Sequence, residues 1–278
     1  MGHSLLYVKA TLVWGYSIRA PSTSSAQPSL LVPPPSTLVG ALARGLASVL
    51  GWPERLQDGR SGAVYILDFV CSAHCGFSPE GYVSGLWSDI SRVSSTPYLE
   101  EKYRGEAERS FGVYAVGKVY APNCKLKLCY VIRNNAARRV LGEDWNSSLL
   151  KGAFAMRAIG SKEGLITIDD AELKPVNFIK ESGEVGTSYF FPFDAMISCF
   201  PGPADLFTLN FWDFSKESPH WGRAKVSPQN IRYLVPLQRS WLSPTSVRVK
   251  LNEKGIALAS SEGDAQHSES VVLMRSWL

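Results

Sequence analysis

Apolar and polar positions along this chain follow two periods, one of strands and one of helices. The run Leu5-Leu6-Tyr7-Val8-Lys9-Ala10-Thr11-Leu12-Val13-Trp14 is rich in β-branched and aromatic residues and predicts a strand. A loop of Ser and Pro follows, from position 21 to 35. Leu38, Leu42, Leu46, Val49 and Leu50 then recur on one helical face. Pro33, Pro34 and Pro35 cannot extend that helix backwards, Ser36 suits its N-cap, and Gly51 and Pro53 stop it. Residues 63–70 predict a second strand, and 71–112 read as a long, partly charged insertion. Two further strands are expected over 112–120 and 125–132, joined at Ala121-Pro122-Asn123. A second helix over 145–159 would place Trp145, Leu149, Ala153 and Met156 on one face, with Gly160 as its C-terminal cap. Leu165-Ile166-Thr167-Ile168 predicts one more strand.

The order is β-α-β, insertion, β-β, α-β. Allowing for one extra hairpin strand, it is an α+β chain of the ferredoxin-like, split βαβ kind that RNA-recognition domains share. That domain would span 1–170 and carry 71–112 as its insertion. The texture changes from about position 171 onward. Short apolar runs at 189–197, 206–214, 231–237, 247–251 and 271–278 are separated by Pro, Gly, Ser and Asp, so 171–278 reads as a mostly β C-terminal region. No internal repeat is evident.

Composition agrees with a folded chain: of 278 residues, 45% are apolar and 19% charged. The net charge of +4 does not by itself imply nucleic acid, but its distribution changes the picture. From Arg92 to Arg139 stand ten Lys and Arg against four Glu, so this segment carries +6 and the remainder −2. A local excess of this kind suits a polyanion, and it equally suits a solvated surface insertion. No apolar run reaches the roughly 18 residues of a membrane span, and the N-terminus shows no signal-peptide anatomy. The expectation is a cytoplasmic protein with no membrane partner, and the five scattered cysteines fit reduced thiols.

Candidate chemistry is sparse. Cys71, His74 and Cys75 lie within five residues, and Cys124 and Cys129 could complete a zinc set. Positions 124 and 129 differ by an odd number, so on one strand they face opposite ways, and no metal or other cofactor is expected. No P-loop, HExxH or Ser-His-Asp order appears. Of the four histidines, only His74 and His220 are placed where a metal-independent ribonuclease could use them.

The element Leu31-Val32-Pro33-Pro34-Pro35-Ser36-Thr37-Leu38-Val39-Gly40-Ala41-Leu42 resembles the signature of the Cas-Five family, the RAMP-type subunit of type I CRISPR Cascade complexes. A second stretch, Ala158-Ile159-Gly160-Ser161-Lys162-Glu163-Gly164-Leu165-Ile166, is similar to that family's helix–glycine–loop–strand junction. A third likeness is the pair of strands ending in proline, Tyr189-Phe190-Phe191-Pro192 and Tyr233-Leu234-Val235-Pro236. The look is closest to archaeal, type I-A-like members. The resemblance implies a non-catalytic subunit that holds the 5′ handle of the CRISPR RNA and caps the backbone filament. The implied partners are that RNA, Cas-Seven-type backbone subunits, the Cascade large subunit and, through the complex, target DNA. It also implies a thumb-like role for the insertion. Some family members of another subtype cleave guide precursors without a metal, and that is the alternative function.

On this reading the RNA-binding candidates are Arg19, Ser36, Thr37, Arg44, Arg92, Lys102, Arg104, Arg109, Arg133, Arg157, Gly160, Ser161 and Lys162. Ser36 and Thr37 would sit at a helix N-terminus, where unpaired N–H groups bind phosphate. Glycines 160 and 164 would admit a ribose–phosphate chain, with Ser161 and Lys162 beside it. Aromatic residues such as Trp14, Tyr98 or Tyr103 would stack unpaired bases. Ser36 also reads as a plain cap, and Gly160 as an ordinary helix-ending turn.

Overall fold

In the computed structural model, which describes residues 2–18, 26–78, 85–93, 112–161, 163–215, 229–266 and 269–278, the first strand runs through the middle of the molecule. This is β1 (His3–Leu12), followed by the short β2 (Gly15–Tyr16) and β3 (Ala26–Gln27) and by the helix α1 (Pro35–Leu50). Then come β4 (Val70–Phe77), β5 (Gly85–Val93), β6 (Gly112–Tyr120), β7 (Lys125–Arg133), the helices α2 (Asn134–Leu141) and α3 (Trp145–Phe154), and β8 (Ile166–Pro175). The central sheet has the order β4-β7-β1-β8, and every neighbouring pair is antiparallel. The connections through α1 and through α2–α3 each skip one strand, so the two helical crossovers interleave.

Alternation in β1 and β7 divides the sheet's faces. Leu6, Val8, Ala10 and Leu12 of β1, with Leu126, Leu128, Tyr130 and Ile132 of β7, enter one core with α1 and α3. Tyr130 ties its hydroxyl to the Leu38 carbonyl at 3.0 Å, pinning α1 to the sheet. The helices α1 and α3 cross at glycines: a Cβ on Gly45 would strike the Gly152 carbonyl. On the other face, Leu5, Cys71, Cys129 and Val131 pack under Tyr189, Ile256, Leu258, Val271 and Leu273.

The C-terminal half supplies the cover. It comprises β9 (Phe178–Lys180), β10 (Gly183–Thr187), β11 (Phe191–Pro192), β12 (Met196–Phe200), β13 (Leu206–Trp212), β14 (Asn230–Gln238), β15 (Val247–Leu251), β16 (Gly255–Ala259), the short α4 (Glu262–Gln266) and β17 (Val271–Met274). These form three-stranded sheets ordered β10-β15-β12, β11-β14-β13 and β17-β16-β9. The region is mostly β, as its punctuation by Pro, Gly and Ser predicts.

Several boundaries differ from the sequence reading, each for a physical reason. Residues 63–69 are not a strand. A 3₁₀ helix spans Gly62–Asp68, capped by the Ser61 side chain, and it buries Ala63, Val64, Ile66 and Leu67 at three-residue spacing. The strand is β4, buried along its whole length, so the insertion does not begin at 71 but beyond Phe77. Part of that insertion is regular: β5 pairs antiparallel with β6 from Gly85↔Tyr120 to Val93↔Gly112. The second predicted helix ends at Phe154, and the separate helix α2 precedes it. Gly160 therefore does not cap α3; Ala155 does. Ser36 is not the N-cap of α1, because Pro34 holds that place with no side-chain hydrogen bond. The boundary expected after 170 falls inside β8, and Phe190, Phe211, Tyr233 and Val235 share the core of the central sheet.

Candidate nucleic-acid interface

Beyond α3 the chain doubles back on itself. Ile159 N–H donates to the Gly164 carbonyl at 2.8 Å, Gly164 N–H to Ser161 at 3.0 Å, and Ile166 N–H to Arg157 at 3.1 Å. Gly160 turns this loop at φ +78°, a left-handed conformation that L side chains rarely adopt. A Cβ there would also meet Ile18 Cγ1 at 2.5 Å. The loop is thereby seated on the segment that leaves β2, and Ser161 N–H donates to the Ser17 carbonyl at 3.3 Å.

The proline element starts from that same segment, held by Leu31 and the two residues before it. Leu30 N–H donates to the Ile18 carbonyl at 2.8 Å, Ile18 N–H to Ser29 Oγ at 3.1 Å, and the buried Tyr16 hydroxyl to the Leu31 carbonyl. The two stretches that carry the family resemblance, far apart in sequence, thus both dock on Tyr16–Ile18. A third partner arrives from β6, whose Gly117 carbonyl accepts from Ser17 Oγ at 2.8 Å.

An aromatic cluster borders this junction. Gly15 pairs with Tyr120 in the β2–β6 ladder, which brings Trp14 beside Tyr120 with ring centroids 5.4 Å apart and planes tilted by 54°. The Trp14 indole N–H donates to the Glu163 carbonyl of the glycine loop at 2.6 Å. Lys118 Nζ stands 5.8 Å from the Trp14 ring and 4.0 Å from the Glu163 carboxylate.

The candidates named from sequence fall in different places. Gly160 and Ser161 are in the loop, and Arg157 is exposed on its ascending limb. The Ser161 hydroxyl is buried with no hydrogen-bond partner among the described residues. Ser36 is buried and Thr37 half-buried. At that helix end Thr37 and Leu38 both donate to the Pro34 carbonyl, and the prolines have no N–H, so most of the first turn has no donor to offer a phosphate. Arg44 is exposed farther along α1, at the rim of a cavity of about 260 Å³ that Gly40, Trp52 and Ser61 also line. Arg133 lies elsewhere, paired with His3 at the far end of the sheet, on the order of 30 Å from Leu12 by strand rise. It donates to the carbonyls of Asp68 at 3.4 Å and Trp277 at 3.1 Å. Arg92 has its backbone in β5 opposite Val113. Arg19, Lys102, Arg104, Arg109 and Lys162 lie outside the described residues, as do Tyr98, Tyr103 and His220.

Sequence reasoning did not single out Tyr120, Ser17 or Glu163. Their signal is the strand pairing that puts Gly15 opposite Tyr120, which a single sequence shows only as two separate polar-flanked runs.

His74 is fully buried, with Nδ1 3.0 Å from the Phe190 carbonyl and Nε2 2.9 Å from Ser72 Oγ. Burial pulls its imidazole down to about 4, so it is neutral at pH 7 and has no path to an RNA backbone. Burial likewise pushes the Cys124 thiol up to about 12. Cys75 and Cys124 belong to the helix-side core, whereas Cys71 and Cys129 lie on the opposite face. Among the described residues, no three metal-ligating side chains come together.

No family model matches the chain. Among curated proteins it is similar to "CRISPR system aCascade subunit Cas5 1" of Saccharolobus solfataricus, 28% identical over 263 residues, covering 91% of this chain and 95% of that one. "CRISPR-associated protein Cas5 3" of the same organism is 28% identical over 254 residues, again covering 91% and 95%. Among solved structures, a CRISPR protein from Archaeoglobus fulgidus superposes with a TM-score of 0.53 at 18% identity, over 97% of this chain and 98% of that one, and so shares the fold.

Proposed function

We propose, from the premise that these relatives support the Cas5 family for this chain, that it is a CRISPR Cascade subunit that holds the 5′ handle of the CRISPR RNA and caps the backbone filament. The observation that carries the reading is the common docking of the proline element and the glycine loop on Tyr16–Ile18. The two stretches resembling the family meet at one junction, bordered by β6, which is buried on its proline side and exposed at Gly160 and Glu163 on its loop side. Lys118 of β6 stands at that border, 5.8 Å from the Trp14 ring, and a cation there suits a polyanion.

The strand order β4-β7-β1-β8 with interleaved crossovers supports a ferredoxin-like, RAMP-type domain, and the paired β5 and β6 are the arms of its thumb-like insertion. Cas-Seven-type subunits and the large subunit are the proposed protein partners, with target DNA reached through the assembly. The chain performs no chemistry in this reading. The buried, neutral His74 supports that, and an RNA-cleaving alternative would have to draw its base from another group.

The test is to purify the assembly and compare its affinity for RNA with a repeat-derived 5′ handle against RNA with a scrambled one. Preference for the handle is expected, and equal binding would sink the reading. Incubation with repeat RNA in EDTA should leave the RNA whole. Site-specific cleavage would transfer the chain to the ribonuclease alternative.

A further inference from the structure

The aromatic cluster at the foot of β6 has the features of a ligand site. Tyr120 exposes 36% of its surface beside the half-buried Trp14, with ring centroids 5.4 Å apart. Large apolar side chains scattered singly over a surface need no explanation, but two partly exposed aromatic rings held together do. Trp14 is held from three sides: its N–H by the Glu163 carbonyl, its ring edge by Tyr120, and its backbone carbonyl by Ala121 N–H at 2.8 Å. A ring fixed before binding loses little entropy when a second flat group stacks beside it.

Lys118 adds charge at the same point. Its ammonium lies over the indole, and its acidic neighbour Glu163 is 4.0 Å away with 64% of that side chain exposed. So open an ion pair is weak in water, and a phosphate oxygen can replace the carboxylate while the lysine stem keeps its place. A flat apolar surface beside the Lys118 cation complements a nucleotide better than a protein surface.

We infer that Trp14 and Tyr120 form a stacking site for one unpaired nucleobase of single-stranded RNA, with Lys118 taking the adjoining phosphate. The site reads no base identity, because every base has a π face, and it sets the path of the strand where β6 meets the glycine loop. The inference rests on the RNA-holding reading above and adds the contact through which the strand is held.

The experiment uses the intact assembly and titrates it with handle RNA. Tyr120→Ala should weaken binding about tenfold, Tyr120→Phe, which keeps the ring, should restore most of that loss, and Lys118→Gln should lower the slope of log affinity against log salt by about one. Photocrosslinking of wild-type assembly with 4-thiouridine-substituted handle RNA provides a measurement independent of any variant. The crosslink is expected at Trp14 or Tyr120. If wild type retains RNA, and Tyr120→Ala binds as tightly with crosslinks only elsewhere, the stacking site is overturned and the RNA-holding reading stands. If wild type retains no RNA, that reading falls and the stacking site with it. Loss of a protein subunit from Tyr120→Ala, with RNA affinity unchanged, would make the cluster a protein contact and overturn the inference.

Discussion

The imidazole of His74 has a carbonyl at Nδ1, which can only accept, so Nδ1 carries the proton and Nε2 accepts from the Ser72 hydroxyl. Protonation would turn Nε2 into a donor inside an apolar site. The folded protein thus holds this histidine near 4, while the unfolded chain titrates near its ordinary 6.5. Between those values the unfolded state binds the extra proton, so this contribution is whole above about pH 6.5 and is lost as pH falls towards 4. The total is on the order of 3 kcal/mol. Urea unfolding at pH 7 and pH 4.5 should show that His74→Phe removes much of the acid sensitivity of the wild type. An unchanged difference between the two pH values would contradict this account. Arg133 illustrates another residue whose surroundings define its task. Its guanidinium bridges the Asp68 and Trp277 carbonyls, joining the 3₁₀ helix to the last turn of the chain. Arg133→Ala should cost about 2 kcal/mol in urea unfolding and leave the salt dependence of RNA binding as it was.

Among the elements, those with a local cause were legible in the sequence. The proline run leads into α1, whose cap at Pro34 stands two residues before the predicted cap at Ser36, and Gly51, at φ +68°, ends it where predicted. The strand β15 alternates buried and exposed residues and coincides with its predicted span. The strand β4 was not legible, because Val70-Cys71-Ser72-Ala73-His74-Cys75-Gly76-Phe77 is buried on both faces and so has no alternation to read. Its neighbour misled for the opposite reason, since β-branched residues there serve a three-residue period. In the candidate site the glycine loop and Trp14 were both named from the sequence, and the structure brings them into contact. Tyr120 was not, because its contact with Trp14 exists only once β2 and β6 have paired. The α1–α3 crossing was equally hidden. A methyl group at Gly45 would drive the helices apart against the Gly152 carbonyl, so Gly45→Ala should cost about 1–3 kcal/mol and lower Tm by several degrees in a thermal melt.

At the scale of the whole molecule the two halves are one folding unit. Phe190 packs against both Phe211 and Tyr233, with centroids 5.4 and 5.3 Å away, and its N–H donates to the Cys75 carbonyl of β4 at 3.0 Å. Lys127 of β7 reaches Glu269 at 2.7 Å and Ser188 at 2.8 Å, a second tie across the same seam. A fragment of residues 1–170 would end inside β8 and expose the face that Tyr189, Ile256 and Val271 cover. It should therefore fail to fold, and the full chain should unfold in one transition with coincident fluorescence and circular-dichroism curves. Two separate transitions would show the halves to be independent.

The contact between Gly160 and Ile18 also constrains how such chains can diverge. There is no room for a side chain at the first position while the second keeps its γ-carbon, and the backbone at the first favours glycine in any case. Substitution there is viable only as a paired exchange. A chain of this architecture that has given up the glycine is expected to carry a smaller residue where Ile18 stands and a reshaped turn. The two positions should then change together when many such chains are aligned.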